Sequence, residues 1–313
     1  MTTAIAPGKI ILIGEHAVVY GRPAIAAPVW GLQATATILD ALPGTGCLIS
    51  APDVDLHFSL AEVGDEQPLA LVLRLALRRI GMTHIPDWQV ELHSELPIAG
   101  GLGSGAALSA ALVRAIFAHT RQTIDVNTVS ELVFESERFY HGTPSGIDNS
   151  VIAHGMPIWF VKGETPVAFL PRASLHFVIA DSGVRSPTKE TVGDVRKGWQ
   201  QSPAQYESWF DAIAQIAHQA RQSIEQGQGD ELGGLFTQNH ALLQQIGVSS
   251  PLLDRLVQAA LDVGAEGAKL SGGGRGGNVI ALIKPKQRET VEQAFLQAGA
   301  KRVLSTKIDA WSW

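Results

Sequence analysis

Hydrophobic and polar positions alternate along some stretches of the chain and cluster with helical spacing along others. Residues 88–96 set apolar Trp88, Val90 and Leu92 against polar Gln89, Glu91 and His93, the period of a strand with one wet face. Residues 106–118 are rich in Ala, Leu and Val without a breaker, which predicts a buried helix. Residues 69–80 have helical spacing with Arg74, Arg78 and Arg79 to one side, as in a helix that covers a core and solvates a basic face. A short apolar run at 10–13 stops at Gly14. Residues 24–30 and 33–39 read as two strands, with Thr35, Thr37 and Ile38 favouring β structure. Pro, Gly and Asp clusters through 41–68 suggest a meander around 47–49 and 56–60. Helices are predicted over 129–140, 204–226, 230–246, 251–263 and 289–298, and strands over 175–180, 278–283 and 302–308. The pattern is α+β, with a boundary expected near Arg172 that gives domains 1–172 and 173–313.

Composition narrows the function classes. At 313 residues the chain is long enough for two cores. A hydrophobic fraction of 45% and a charged fraction of 17% suit an ordinary soluble protein. A net charge of −6 offers no basic field, so neither nucleic acid nor an anionic membrane is an expected partner. The single cysteine, Cys47, excludes an intrachain disulfide and a cysteine-rich metal site, and is expected as a reduced core residue. The pattern of a secretory signal and apolar stretches of membrane-spanning length are both lacking. A cytoplasmic location is the expectation.

Candidate chemistry gathers at the turns. Gly100, Gly101, Gly103 and Gly105 lie between the strand at 88–96 and the helix at 106–118. A glycine-rich turn feeding a helix N-terminus suits an anion, because open amides and the helix dipole both favour phosphate. It is not a Walker A loop, since no Lys-Ser/Thr pair follows. Gly101, Gly103 and Ala106 spell a dinucleotide fingerprint with Asp125 downstream, yet the strand before them alternates instead of being buried on both faces. A tight turn without ligand would use the same glycines. Lys9 enters a buried strand, and Glu15 and His16 stand on the turn that ends it. Glu137 lies on a predicted helix that cannot run through Gly142, Pro144 and Gly146. The turn leads to Asp148, suited either to general-base or electrostatic work or to capping a short helix.

Four motifs then occur in order: PGK-x4-GEHAVVYG at 7–21, PIAGGLGSGAA at 97–107, HGTPSGIDN at 141–149 and KLSGGGRGG at 269–277. Together they resemble the GHMP kinases, and the first and third are most similar to the branch acting on mevalonate. The resemblance spans nearly the whole chain. It implies an α+β, two-domain fold with the active site in the interdomain cleft, and ATP- and Mg2+-dependent phosphoryl transfer to a small alcohol. For that branch the acceptor is the C5 hydroxyl of mevalonate; phosphomevalonate, homoserine or a sugar serves elsewhere in the family. A non-catalytic ligand sensor is the reading from another class, and the presence of Lys9, Glu137 and Asp148 counts against it.

Laid on these residues, the resemblance makes Asp148 the carboxylate facing the acceptor hydroxyl and Lys9 the cation beside it. ATP phosphates would rest on Pro97, Gly101, Leu102, Gly103, Ser104, Gly105, Ala106 and Ala107. Glu137 and Ser104 would hold magnesium. Glu15, His16, Ser145, Gly146, Ser182, Gly183, Arg185, Thr188 and Gly273 would line the acceptor pocket, with His16 holding a carboxylate or a hydroxyl. The resemblance admits a homodimer. Two departures stand out: Gly105 replaces a serine usual in the family, and Arg275 adds a cation to the late glycine motif, where it either assists phosphate or points to solvent. That motif also spells G-x-G-x-x-G, but a strand-like run follows it where a dinucleotide site needs a helix.

Overall fold

The structure, a computed structural model, describes residues 1–97, 100–141 and 144–310; the side chains of Tyr140, His141 and Asp230 lie outside that description. Ile98 and Ala99 of the glycine-rich stretch, and Gly142 and Thr143 of the expected turn, are also outside it. The chain forms two compact units, one made of Met1–Lys9 and Leu32–Gly155, the other of Ile10–Gly31 and Met156–Trp313.

The first unit takes part of β1 (Thr2–Ile13) and part of β2 (Ala24–Asp40), which pair. It adds β3 (Cys47–Ala51), β4 (Leu56–Ser59), α1 (Pro68–Arg79), β5 (Trp88–Ser94), α2 (Ser104–His119), α3 (Val126–His141) and α4 (Ile147–His154). Its strands run β4-β3-β5-β2, parallel only between β3 and β5. β5 buries Trp88, Val90 and Leu92 and exposes the residues between them, as its alternation requires. In α2, eleven of sixteen residues are buried, so it is a central helix rather than an amphipathic one. It packs against α1, α3, α4 and β5. Cys47 is buried and unpaired, and burial pushes its thiol up to about 12, leaving it inert at neutral pH.

The second unit holds the end of β1, a 3-10 turn at Ala17–Tyr20 and the start of β2, which pairs with β6 (Ile158–Phe160); β7 (Val167–Ala168) follows on β6. The rest comprises β8 (Leu175–Asp181), α5 (Thr188–Gln201), α6 (Pro203–Gln226), α7 (Gly229–Ile246), α8 (Pro251–Asp262), β9 (Gly267–Ser271), β10 (Asn278–Ile283), α9 (Arg288–Gln297) and β11 (Arg302–Ile308). An antiparallel sheet runs β11-β8-β10-β9. α8 packs on β9 and β10, and α9 on β8 and β11. Phe210, Leu243, Leu256, Leu270 and Phe295 share one apolar core there.

Three differences from the sequence pattern have local causes. The two strands expected at 24–30 and 33–39 are one strand of seventeen residues, because Gly31 and Leu32 stay extended. α5 was not expected: it buries only Thr191 and Val195 and contains two glycines, so little apolar periodicity marks it. One of those glycines, Gly198, has no side chain because the Tyr206 ring occupies that space. Compactness divides the chain at Gly155 and Met156 and returns residues 10–31 to the second unit, whereas the sequence pattern suggested a single cut at Arg172. The β1–β2 hairpin is long enough to serve both units.

Gly14 ends β1 with φ of 108°, where a Cβ would lie 2.5 Å from the Ala24 backbone and 2.8 Å from the Pro23 oxygen. Gly14→Ala is therefore expected to lower stability by about 2–3 kcal/mol, through a forbidden backbone angle and overpacking together. Urea unfolding of the variant beside the parent checks this.

Candidate active site

In the first unit, Lys9 comes from β1 and Asp148 from the first turn of α4, and they form an ion pair at 3.0 Å. The Lys9 side chain is 7% exposed and that of Asp148 26%, so the pair is sheltered yet reachable. α4 starts where it does because Gly146, with φ of 91°, turns the chain into it. The Ser145 hydroxyl accepts from the Ile147 amide, and the Ser150 hydroxyl donates to the Gly146 carbonyl. Asn149 ties α4 to α3 through the Ser130 carbonyl and hydroxyl. Asp148 thus stands on a turn with little freedom.

Glu137, on α3, is buried. Burial first, and the Asp148 carboxylate second, raise its pKa to about 8, against the pull of Lys9. A dication beside these two carboxyl groups would favour their charged forms.

The glycine stretch leads into α2 through Gly101 and Gly103, at φ of 74° and 77°. Gly103 takes the N-cap position without a capping side chain. The Ala107 amide already bonds the Gly103 carbonyl at 2.9 Å, so the helix leaves the amides of Ser104, Gly105 and Ala106 to a ligand. Leu102 contributes its backbone: its side chain is buried and its carbonyl accepts from the Lys9 amide at 2.9 Å. Pro97 accepts the Gly100 amide in the turn before them. Ser104 holds the hydroxyl at the head of the helix, 3.1 Å from the Ser94 hydroxyl. A side chain at Gly103 would press on Lys9 Cγ and Ile152 Cδ1, each at 3.0 Å.

In the second unit, Glu15 is fully buried and ion-paired with Lys269, itself fully buried. Burial pushes each toward its neutral form, and each holds the other charged. Glu15 therefore offers no face to an acceptor; it anchors its turn. His16 has φ of 62°, and its Nε2 lies 3.0 Å from the Gly273 carbonyl. Burial pushes its imidazole down to about 4, opposed by that carbonyl and reinforced by Arg275. A neutral ring facing a carbonyl must carry its proton on Nε2, which leaves Nδ1 as an acceptor. Such a ring suits a hydroxyl better than a carboxylate.

Thr188 opens α5 with its side chain against Gly273, where a Cβ would sit 3.0 Å from Oγ1. The Ser182 amide bonds the Gly277 carbonyl and its hydroxyl accepts from Val184. Gly183, at φ of 70°, lies against the Lys301 side chain. Arg185 is exposed and makes no ion pair among the described residues. Arg275 neither points freely to solvent nor is left over for phosphate: it pairs with Asp194 of α5 at 2.6 Å and bonds the Gly247 carbonyl. Lys269 escaped the sequence reading, although its place at the head of the late glycine motif was a signal.

Residues 69–155 match the family model described as GHMP kinases N terminal domain, and residues 220–301 match GHMP kinases C terminal. A mevalonate kinase of Pyrococcus abyssi is 31% identical, over 97% of this chain and 95% of that protein. One of Archaeoglobus fulgidus is 35% identical over 90% and 92%. The crystal structure of L. major mevalonate kinase in complex with R-mevalonate superposes with a TM-score of 0.86 at 28% identity, covering 100% of this chain and 97% of that one.

The lowered pKa of His16 has a pH signature. Its contribution to stability is present above the ordinary value of 6.5 and is lost as pH falls through about 4, where the buried ring must charge. His16→Asn, which keeps a polar side chain and tolerates positive φ better than most residues, is expected to flatten that part of the stability profile. Denaturant unfolding of both proteins between pH 7 and 4 checks it.

Proposed function

This chain belongs to the GHMP kinase family, and on that premise we propose that it is a mevalonate kinase, transferring the γ-phosphoryl group of ATP to the C5 hydroxyl of mevalonate. The carrying observation is the Lys9–Asp148 pair, sheltered at 3.0 Å beside a glycine-rich helix N-terminus. Phosphoryl transfer asks a protein mainly for positioning and charge neutralisation. Asp148 orients the acceptor hydroxyl and takes its proton. Lys9 stabilises the alkoxide character that develops there and offsets charge on the phosphoryl group in flight. The amides of Ser104, Gly105 and Ala106 hold the nucleotide phosphates, with the Gly101–Gly103 turn letting backbone approach them.

Magnesium fits these residues. Glu137 is a buried carboxyl whose pKa burial and the Asp148 carboxylate raise to about 8, and Ser104 carries a hydroxyl at the helix head. Among the described residues no cluster of three His, Cys, Asp or Glu side chains forms a protein cage. Magnesium does not need one, since it commonly takes one or two carboxylates, waters and substrate phosphates. Glu137 and Ser104 would hold it, and it would neutralise the phosphates. With Gly105 in the place of a second serine, Ser104 is the hydroxyl left to that task.

In the second unit the residues for acceptor binding are His16, Ser182, Gly183, Arg185, Thr188 and Gly273, with Glu15 acting from behind; in the first unit Ser145 and Gly146 stand on the turn that carries Asp148. With mevalonate as acceptor the reaction belongs to isoprenoid precursor synthesis, and no helix among the described residues is long and apolar enough to cross a membrane. In this reading the chain works in the cytoplasm, and a homodimer is compatible with it.

ADP release with magnesium-ATP against mevalonate, phosphomevalonate, galactose and homoserine tests the assignment; turnover confined to another acceptor overturns it. Asp148→Asn is expected to cut kcat by about 10²–10⁴-fold while nucleotide still binds. Wild-type turnover in that variant removes Asp148 from the chemistry. Glu137→Gln is expected to raise the magnesium concentration needed for half-maximal rate by roughly tenfold or more, with the mevalonate KM little changed, as for a ligand lost from an oxygen site.

A further inference from the structure

Lys269 is a charged residue that the reaction does not touch, and it sits where charge is expensive. It lies on β9 with no exposed side-chain surface. Its ammonium is shared between the Glu15 carboxylate and the Leu270 carbonyl, the latter at 2.6 Å. An apolar pair of equal volume often gives equal or better stability than a buried ion pair, so such a pair is poorly explained by stability alone. What it does supply is direction.

The turn that carries Glu15 needs such direction. Gly14 and His16, on either side, both have positive φ, of 108° and 62°. His16, with φ of 62° and ψ of −47°, is the centre of a γ-turn closed by the Ala17 amide on the Glu15 carbonyl, a strained geometry that persists only where its surroundings over-determine it. Three tethers, all within the second unit, do so. The Ser271 hydroxyl donates to the Ile11 carbonyl at 2.9 Å and lies 3.1 Å from the Ile11 amide, joining β9 to the end of β1. Glu15 is held by Lys269. His16 Nε2 bonds the Gly273 carbonyl. The loop bearing Gly273 is itself held: the Arg275 amide bonds the Val248 carbonyl, Gly277 exchanges bonds with Ser182 and Val184, and the Arg275 side chain reaches Asp194. The middle tether is the ion pair, and it grips the residue next to the imidazole, whose carboxylate the Gly272 backbone also bonds.

We propose that Lys269 is a positioning residue for acceptor binding: through Glu15 it fixes the turn that bears His16, so that the ring spends Nε2–H on Gly273 and presents Nδ1 to a hydroxyl of the acceptor. The last step rests on the reading of His16 as an acceptor-facing group. The ion pair then sets which hydrogen bond the pocket offers, which is a matter of specificity.

Two variants and two readouts test it in the full chain. Lys269→Met leaves Glu15 buried without a partner and risks misfolding. Glu15→Gln with Lys269→Met removes both charges and keeps the volume, so it is the decisive variant. In it, the KM for mevalonate is expected to rise about tenfold or more while the KM for ATP stays within about twofold, the split of a lost ground-state contact to one substrate. A structural role alone would lower the melting temperature and leave that ratio unchanged. The second readout is the ¹⁵N spectrum of the His16 ring without any substrate: one Nε2–H tautomer in the parent, a tautomer mixture in the double variant. An unchanged His16 spectrum overturns the proposal, as do KM values that rise together or equal loss of folded protein in both variants. Failure of the parent to phosphorylate mevalonate overturns the functional reading instead, and the ring spectrum still decides the role of Lys269.

Discussion

Lys9 can stand beside Asp148 because position 103 has no side chain. The same glycine caps α2, accepts the first ladder bond from Ala107 and leaves room for the Lys9 stem and Ile152. Leu102, one residue earlier, receives the Lys9 amide. The strand with the Lys9 ammonium and the glycine-rich loop are thus pinned to each other through backbone. What fixes the loop is the helix behind it. Each of its large apolar side chains contributes roughly 1.5–3 kcal/mol by burial, and α2 buries Leu108, Leu112, Val113, Ile116 and Phe117. A helix gripped on every side cannot shift its N-terminus, so the anion site is preorganised by the core of the first unit.

The charges follow a division of labour that depth explains. Lys9 and Asp148 are sheltered but reachable, as groups that meet a substrate must be. Glu15 and Lys269 are sealed, and can act only through the backbone they hold. Arg275 is on the surface, with its cation committed to Asp194. A cation count along the late glycine motif would not separate these two roles, since Lys269 and Arg275 are six positions apart in one sequence motif.

Much of this was legible in the sequence where the signal is local. The alternation of 88–96 named β5, the breaker-free run of 106–118 named α2, and the order of four motifs named the family and placed Lys9, Glu137 and Asp148. Where the determinant is distant, the sequence was silent. Glu15 and Lys269 are 254 positions apart, and nothing near Glu15 distinguishes an acceptor contact from an anchor. Asp194, the partner that decides what Arg275 does, lies 81 positions away on α5, a helix whose sparse apolar face hid it. The protonation of His16 depends on the Gly273 carbonyl and on burial, neither of which has a residue-type signature.

The excursion of residues 10–31 into the second unit has a consequence for how this protein can be taken apart. No single break in the chain yields two whole halves. A fragment beginning at Met156 would lack the strand that β6 pairs with, the Ile11 backbone that Ser271 grips and the carboxylate that neutralises Lys269. Loss of one partner from a buried ion pair costs about 3–5 kcal/mol, a large share of the stability of a domain this size. The halves are therefore not interchangeable cassettes. Recombination between relatives would have to carry the N-terminal hairpin together with a segment encoded at the far end of the gene, and on the ribosome that hairpin emerges long before the lysine that completes it.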